Sequence, residues 1–166
     1  MKKNNSGITL IALIITIIVL LIIASITTYE GKELIAKSKA QTLENNMLTI
    51  QAKAKEYAEE IDAKIWTESD KDTKRNEEFL SKGFINPSNS IDSKYINIET
   101  TNYIAYTISP EGLSSMGLDE IKNEQYMVIY DKDDYKKMDV IFTNGIKYKK
   151  VQYYTLSNLQ SILSNE

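Results

Sequence analysis

Apolar and polar positions divide this chain into three stretches with different periods. From Ile8 to Ile26 the apolar residues are almost unbroken, and of these 19 positions only Thr9, Thr16 and Ser25 carry polar side-chain atoms. At a rise of about 1.5 Å per residue the run spans roughly 28 Å as a helix, close to the thickness of a hydrocarbon core. Its threonines and serine can return their hydroxyls to carbonyls one turn back, so the run reads as membrane-inserted. Lys2 and Lys3 precede it and resist translocation, which keeps the N-terminus cytoplasmic. The second stretch is amphipathic: Leu43, Met47, Ile50, Ala54, Tyr57, Ile61 and Ile65 recur every three or four positions among Lys, Glu, Gln and Asn. No proline occurs between Ile8 and Trp66, and Gly31 is the only glycine there. The pattern predicts one helix over about 8–66, weakened near Thr27–Gly31 by β-branched residues and glycine.

The third stretch changes period again. Residues 67–102 are polar and predict a loop, with a short helix over Lys74–Lys82 stopped by Gly83. Nine of the eleven tyrosines lie beyond residue 90, as suits a β-rich region. Tyr103–Ile108, Tyr126–Tyr130 and Met138–Thr143 read as strands. Between the first two, Ser109-Pro110-Glu111 supplies an N-cap, a proline at the first helical position and an acid in the first turn, and Gly117 ends that helix. Asp131–Asp134 reads as a turn. Asn144-Gly145 predicts a two-residue hairpin leading into a fourth strand through about Tyr154, with a bulge or edge where alternation slips at Lys149-Lys150. Leu156–Leu163 predicts a C-terminal helix. The fold class expected is α+β, a long N-terminal helix whose amphipathic half covers one face of a small antiparallel sheet.

The leader adds a specific signal. Met1-Lys-Lys-Asn-Asn-Ser-Gly7 is short, basic and ends in a glycine directly before Ile8-Thr9-Leu10-Ile11. A secretory signal has a shorter apolar core followed by a small-x-small site, and Ala24-Ser25-Ile26 is a poor one. The junction instead resembles the type III signal of type IV prepilins and pseudopilins, a glycine followed by an apolar residue and then Thr-Leu-Ile/Val-Glu. The resemblance implies cleavage between Gly7 and Ile8 by a prepilin peptidase, N-methylation of Ile8, and retention of the apolar helix as a filament core. It implies a pilin-like fold, organised as leader 1–7, transmembrane or filament-core segment 8–27, amphipathic helix 28–66 and globular head 67–166. The strict motif covers residues 1–26; beyond them the likeness is one of architecture. An uncleaved signal anchor with a chance glycine is the plain alternative.

Two departures from the family pattern stand out. Ala12 occupies the position where the family carries Glu, a carboxylate thought to neutralise a neighbouring subunit's N-terminal amine within the bilayer. A charge in a low-dielectric bundle is costly unless paired, and Ala12 cannot pair. That suits a tip or minor subunit, or a filament that handles the amine otherwise. Many type IV pilins also place a proline in the first half of the helix, and none is present here.

Composition narrows the function classes. Formal net charge is −3, and −5 once the leader lysines are removed, so direct nucleic-acid binding is not expected. Without histidine or cysteine the chain lacks the commonest general base, the thiol nucleophile and the disulfide that closes some pilin heads. No nucleophile elbow, phosphate loop or metal-ligand spacing occurs, so neither enzyme activity nor a cofactor is expected. Asp131–Asp134 has the oxygen ligands for calcium but lacks an EF-hand's glycine and distal glutamate, and Lys132 interrupts it; a solvated turn is the expectation. Trp66 and Lys149-Lys150 suit partner contacts, or equally a helix-end anchor and a charged sheet edge.

The expected function is therefore a structural subunit, pilin or pseudopilin, of a type IV pilus-like or type II secretion-like envelope filament. The resemblance implies as partners the peptidase, other pilin subunits, the membrane and, indirectly, a platform protein and an assembly ATPase. It implies a single-pass cytoplasmic-membrane protein with an extracytoplasmic head, later part of an envelope filament. The alternative is a signal-anchored extracytoplasmic binding domain that does not polymerise.

Overall fold

The fold is known from a computed structural model that describes residues 6–64, 70–95 and 102–165, the side chains of 6–12 and 25–30 excepted. Helix α1 runs Ser6–Asp62 and passes through Thr27–Gly31 unbroken. The chain divides into two compact units, Met1–Lys39 and Ala40–Glu166. The second unit comprises the end of α1, then α2 (Lys71–Ser81), β1 (Phe84–Ser88), β2 (Tyr103–Ile108), α3 (Pro110–Ser115), a single 3₁₀ turn (Asp119–Ile121), β3 (Tyr126–Asp131), β4 (Met138–Tyr148), β5 (Val151–Thr155) and α4 (Leu156–Ser164). Its five strands form one antiparallel meander in chain order. The class is thus α+β, a long helix with an antiparallel sheet.

The amphipathic stripe lands where its period predicts, with one substitution. Ala40, Leu43, Met47, Ile50, Ala54, Ala58 and Ile61 are buried, and Tyr57 is only half-buried. Ile65 and Trp66 lie outside the described residues. The stripe meets one face of the sheet: Tyr130 donates its hydroxyl to the Ala54 carbonyl at 3.3 Å, and Gln51 reaches the Met138 carbonyl at 3.4 Å. Pairing of Ile104 with Tyr130 and of Val128 with Val140 puts Ile104, Tyr106, Val128, Tyr130 and Val140 on that face. Phe79 of α2 sits among them, its ring centroid 4.9 Å from Tyr130, 5.1 Å from Tyr106 and 5.4 Å from Phe84. The opposite face is also covered. Ala105, Ile129 and Ile141 are buried there beneath Ile91 and Tyr95 of the loop after β1, with Tyr95 edge-on to Tyr154 at 5.3 Å.

The Ser109 cap and the stop at Gly83 follow the sequence reading, and a cap at Thr155 adds to them. The Ser109 hydroxyl accepts the Gly112 amide at 3.0 Å, and Thr155 caps α4 by accepting the Asn158 amide at 3.3 Å. α2 begins three residues earlier than predicted and ends before Gly83, whose φ is +87°. A side chain at Gly83 would meet backbone, because its Cβ would lie 2.5 Å from the Gly112 Cα.

Two sequence expectations are corrected. Residues 84–88 form a strand and not a loop. Phe-Ile-Asn-Pro-Ser carries a proline and has Asn86 at φ +52°, features a sheet tolerates only at an edge, and β1 is an edge. The second correction exchanges two turns. Asn144-Gly145 lies inside β4, and the hairpin turns at Lys149-Lys150, both with positive φ, +46° and +69°. Between Ile141↔Thr155 and Ile146↔Tyr153, β4 holds four residues where β5 holds one, so Asn144-Gly145 sits in a bulge. The later turn lets Tyr148, Leu156 and Leu159 all become buried. Three such side chains contribute roughly 1.5–3 kcal/mol each, which exceeds the modest local preference for Asn-Gly over Lys-Lys. Gly145 remains necessary for a different reason. A Cβ there would stand 2.5 Å from Gln152 Nε2 and 2.7 Å from Tyr154 Cε1.

Candidate functional site

Among the described residues the longest exposed apolar stretch lies on α1 of the first unit. Every residue from 13 to 24 is exposed. Leu13, Ile14, Ile15, Ile17, Ile18, Val19, Leu20, Leu21, Ile22 and Ile23 each leave between 46% and 65% of their surface uncovered. These residues point in all directions around the helix, so no single face is reserved for a partner. Covering the exposed half of each is worth roughly 1 kcal/mol, or on the order of 10 kcal/mol for the segment. Among the described residues no helix is long and apolar enough to cross a membrane. Residues 8–12, 25 and 26 of the expected span have side chains outside the description.

The residues at which the sequence predicts processing belong to that same end. Gly7 and Ile8, and with them Thr9, Leu10, Ile11 and Ala12, have helical backbone within α1, which starts at Ser6, and their side chains lie outside the described residues. Met1–Asn5 lie outside the described residues altogether.

The second unit offers two polar clusters, an open groove and a smaller cavity. In the β3–β4 turn the Asp131 carboxylate accepts the amides of Asp133 at 2.8 Å and Asp134 at 3.3 Å. Asn102 donates its side-chain amide to Asp133 at 2.6 Å, and Lys137 stands 3.8 Å from Asp134. The chain's own donors therefore take up these oxygens, as in an Asx turn. No cluster of metal-ligating side chains occurs among the described residues.

A second site is a buried ion pair that the sequence reading did not single out. Arg75 of α2 is 8% exposed, donates to Asp62 at the end of α1, and lies 4.0 Å over the Tyr135 ring. Burial works against its charge, and Asp62 together with Tyr135 outweighs it. The Arg75 Nε is buried without a partner. A signal did exist, since Arg75 is the only arginine beside nineteen lysines. A planar guanidinium that stacks on a ring and pairs with a carboxylate is not replaceable by lysine. Beside it the Tyr106 hydroxyl donates to the Asn76 side chain, and burial raises the Tyr106, Tyr130 and Tyr135 hydroxyl pKa values. These groups hold α2 against the sheet and stay neutral.

The third site is an open groove of 640 Å³ lined by Tyr57, Leu80, Lys82, Ile85, Ser109 and Glu111 among others. Lys82 is held there by Glu60 at 2.6 Å and lies 4.8 Å over the Tyr57 ring. A smaller polar cavity of 170 Å³ borders Asp72, Asn76, Asn89, Lys132 and Tyr135. Neither contains histidine or cysteine, since the chain has none. Comparison with protein-family models, with curated proteins and with solved structures finds no match.

Proposed function

We propose that this chain is a pilin-like or pseudopilin structural subunit of an envelope filament, held in the membrane by its N-terminal helix before assembly. The observation that carries the reading is the exposure of residues 13–24 on every side of α1. A helix apolar all round requires lipid or other helices as its solvent. The basic leader and the Gly7-Ile8-Thr9-Leu10-Ile11 junction supply a route to both environments. An α+β unit with a long helix against an antiparallel meander is the architecture expected of such a subunit. In this reading a prepilin peptidase removes Met1–Gly7, Ile8 becomes the methylated N-terminus, and assembly exchanges lipid contacts for helix packing. A separate ATPase and platform protein supply the work.

A second reading is a signal-anchored extracytoplasmic domain that never polymerises, because the Gly7-Ile8 junction is a short motif that a chance glycine also produces. N-terminal mass spectrometry of membrane-extracted protein, with and without the peptidase, separates the two. Peptidase-dependent loss of Met1–Gly7 with one methyl added at Ile8 is the result expected of a pilin. An intact leader in both samples establishes the anchored domain instead.

A further inference from the structure

Three lysines gather at the far end of the β4–β5 ribbon, where no third strand supports it. β3 pairs with β4 over Met138–Phe142, and from Ile146 to Tyr148 β4 pairs with β5 alone. Lys147, Lys149 and Lys150 are all exposed, and Lys149 lies 5.6 Å over the ring of buried Tyr148. No carboxylate among the described residues pairs with Lys147 or Lys150. The turn holds both central lysines at positive φ, a conformation that Asn-Gly adopts at lower cost. Next to them stands Val151, 51% exposed. Within Ala40–Glu166 the only other large hydrophobic side chain among the described residues so uncovered is Leu80.

We propose that this lysine tip is a docking site for an anionic lipid bilayer, with Val151 entering the headgroup region. The proposal rests on the membrane-anchored reading above. Charge complementarity selects an anionic partner, and each lysine near such a surface contributes about a five-fold gain in partition. The valine selects a bilayer over a nucleic acid. An aliphatic side chain between lysines has nothing to contact on a phosphodiester backbone, and Tyr148 is buried beneath Lys149 and so unable to stack on a base.

The chain has no cysteine, so single nitroxide labels can be placed on the full-length protein. Labels at Leu20→Cys, Leu80→Cys and Val151→Cys are compared in nanodiscs of phosphatidylcholine alone and of an equal mixture with phosphatidylglycerol, using oxygen and nickel-chelate accessibility. The label at 20 is expected to be immersed in both discs and the label at 80 aqueous in both. The label at 151 should leave water only in the anionic discs and return at 1 M salt, where screening shortens to about 3 Å. Lys147→Gln with Lys150→Gln should weaken that docking roughly 25-fold. Lys149→Asn with Lys150→Gly should also weaken it while raising the thermal midpoint, which separates loss of charge from loss of fold. A label at 151 that stays aqueous in anionic discs while the label at 20 is immersed overturns the docking site and leaves the anchor standing. A label at 20 that is aqueous in both discs overturns the anchored reading and the docking proposal with it. Salt-sensitive capture of duplex DNA by the tip, with no response to lipid, reassigns it to nucleic acid and overturns the proposal.

Discussion

Two parts of the same helix, residues 13–24 and 40–62, both carry apolar side chains, yet their surroundings are opposite. In the later part seven apolar residues recur every three or four positions, and all seven are buried against the sheet or its neighbours. In the earlier part apolar residues occur at almost every position, and all twelve residues are exposed. Hydrophobicity alone does not bury a residue. A periodic stripe defines a direction that a sheet can cover, whereas a uniformly apolar cylinder defines none and is satisfied only by surroundings that are apolar everywhere. The first kind of segment builds a fold, and the second leaves its apolar surface uncovered.

Substitutions should act on the two parts in opposite ways. The largest effect is expected from Ile50→Ala, which opens a cavity where α1 meets the sheet and should cost about 2–5 kcal/mol of stability. Leu20→Ala should leave the stability of the second unit within about 0.5 kcal/mol of the parent. Thermal melts of the full chain in detergent measure both, and equal losses would erase the distinction. Next in size is Ile18→Arg, expected to cost about 2.5–3.5 kcal/mol of membrane insertion with no change in the melt. Alkaline extraction of membranes reads it, and full retention would argue that residues 13–24 do not meet lipid.

Smaller effects sharpen the comparison within the second unit. Asp62→Ala removes the carboxylate partner of buried Arg75, but Asp62 is itself more than a third exposed, so solvent screens part of the loss. About 1–2 kcal/mol is expected, and a matching Arg75→Met in the Asp62→Ala background should recover part of it. The smallest effect concerns Asp139. Burial raises its carboxyl pKa despite hydrogen bonds from Ser157 and the Val140 amide. A carboxyl whose folded pKa is raised binds its proton more tightly when folded. Its contribution therefore favours the fold below the unfolded value near 4 and fades as pH rises through the folded value. Asp139→Asn should remove that slope as pH rises above about 4, and an unchanged pH profile of the thermal midpoint would refute the assignment.

How much of this was legible depended on whether local or distant contacts decide. Tyr103–Ile108, Tyr126–Asp131 and the helices capped by Ser109 and Thr155 follow from alternation, proline placement and capping side chains, all settled within a few residues. Strand β1 escaped because Pro87 and Asn86 argue against a strand unless an edge is known to be there. The hairpin escaped because Asn144-Gly145 and Lys149-Lys150 are both turns in isolation, and the choice between them rests on Tyr148, Leu156 and Leu159 reaching the interior. Arg75 escaped because its partners, Asp62 and Tyr135, lie on separate elements.

Sequence by itself determined the apolar run, the amphipathic stripe, the leader junction and the absence of histidine and cysteine, because each is a matter of residue type and spacing. Tertiary structure decided which turn closes the last hairpin, that a loop covers the second face of the sheet, and that the single arginine is buried while three lysines stand at a ribbon's end. Those outcomes compare burial summed over distant residues with local preferences of about 1 kcal/mol, and the larger sum exists only once the chain has folded.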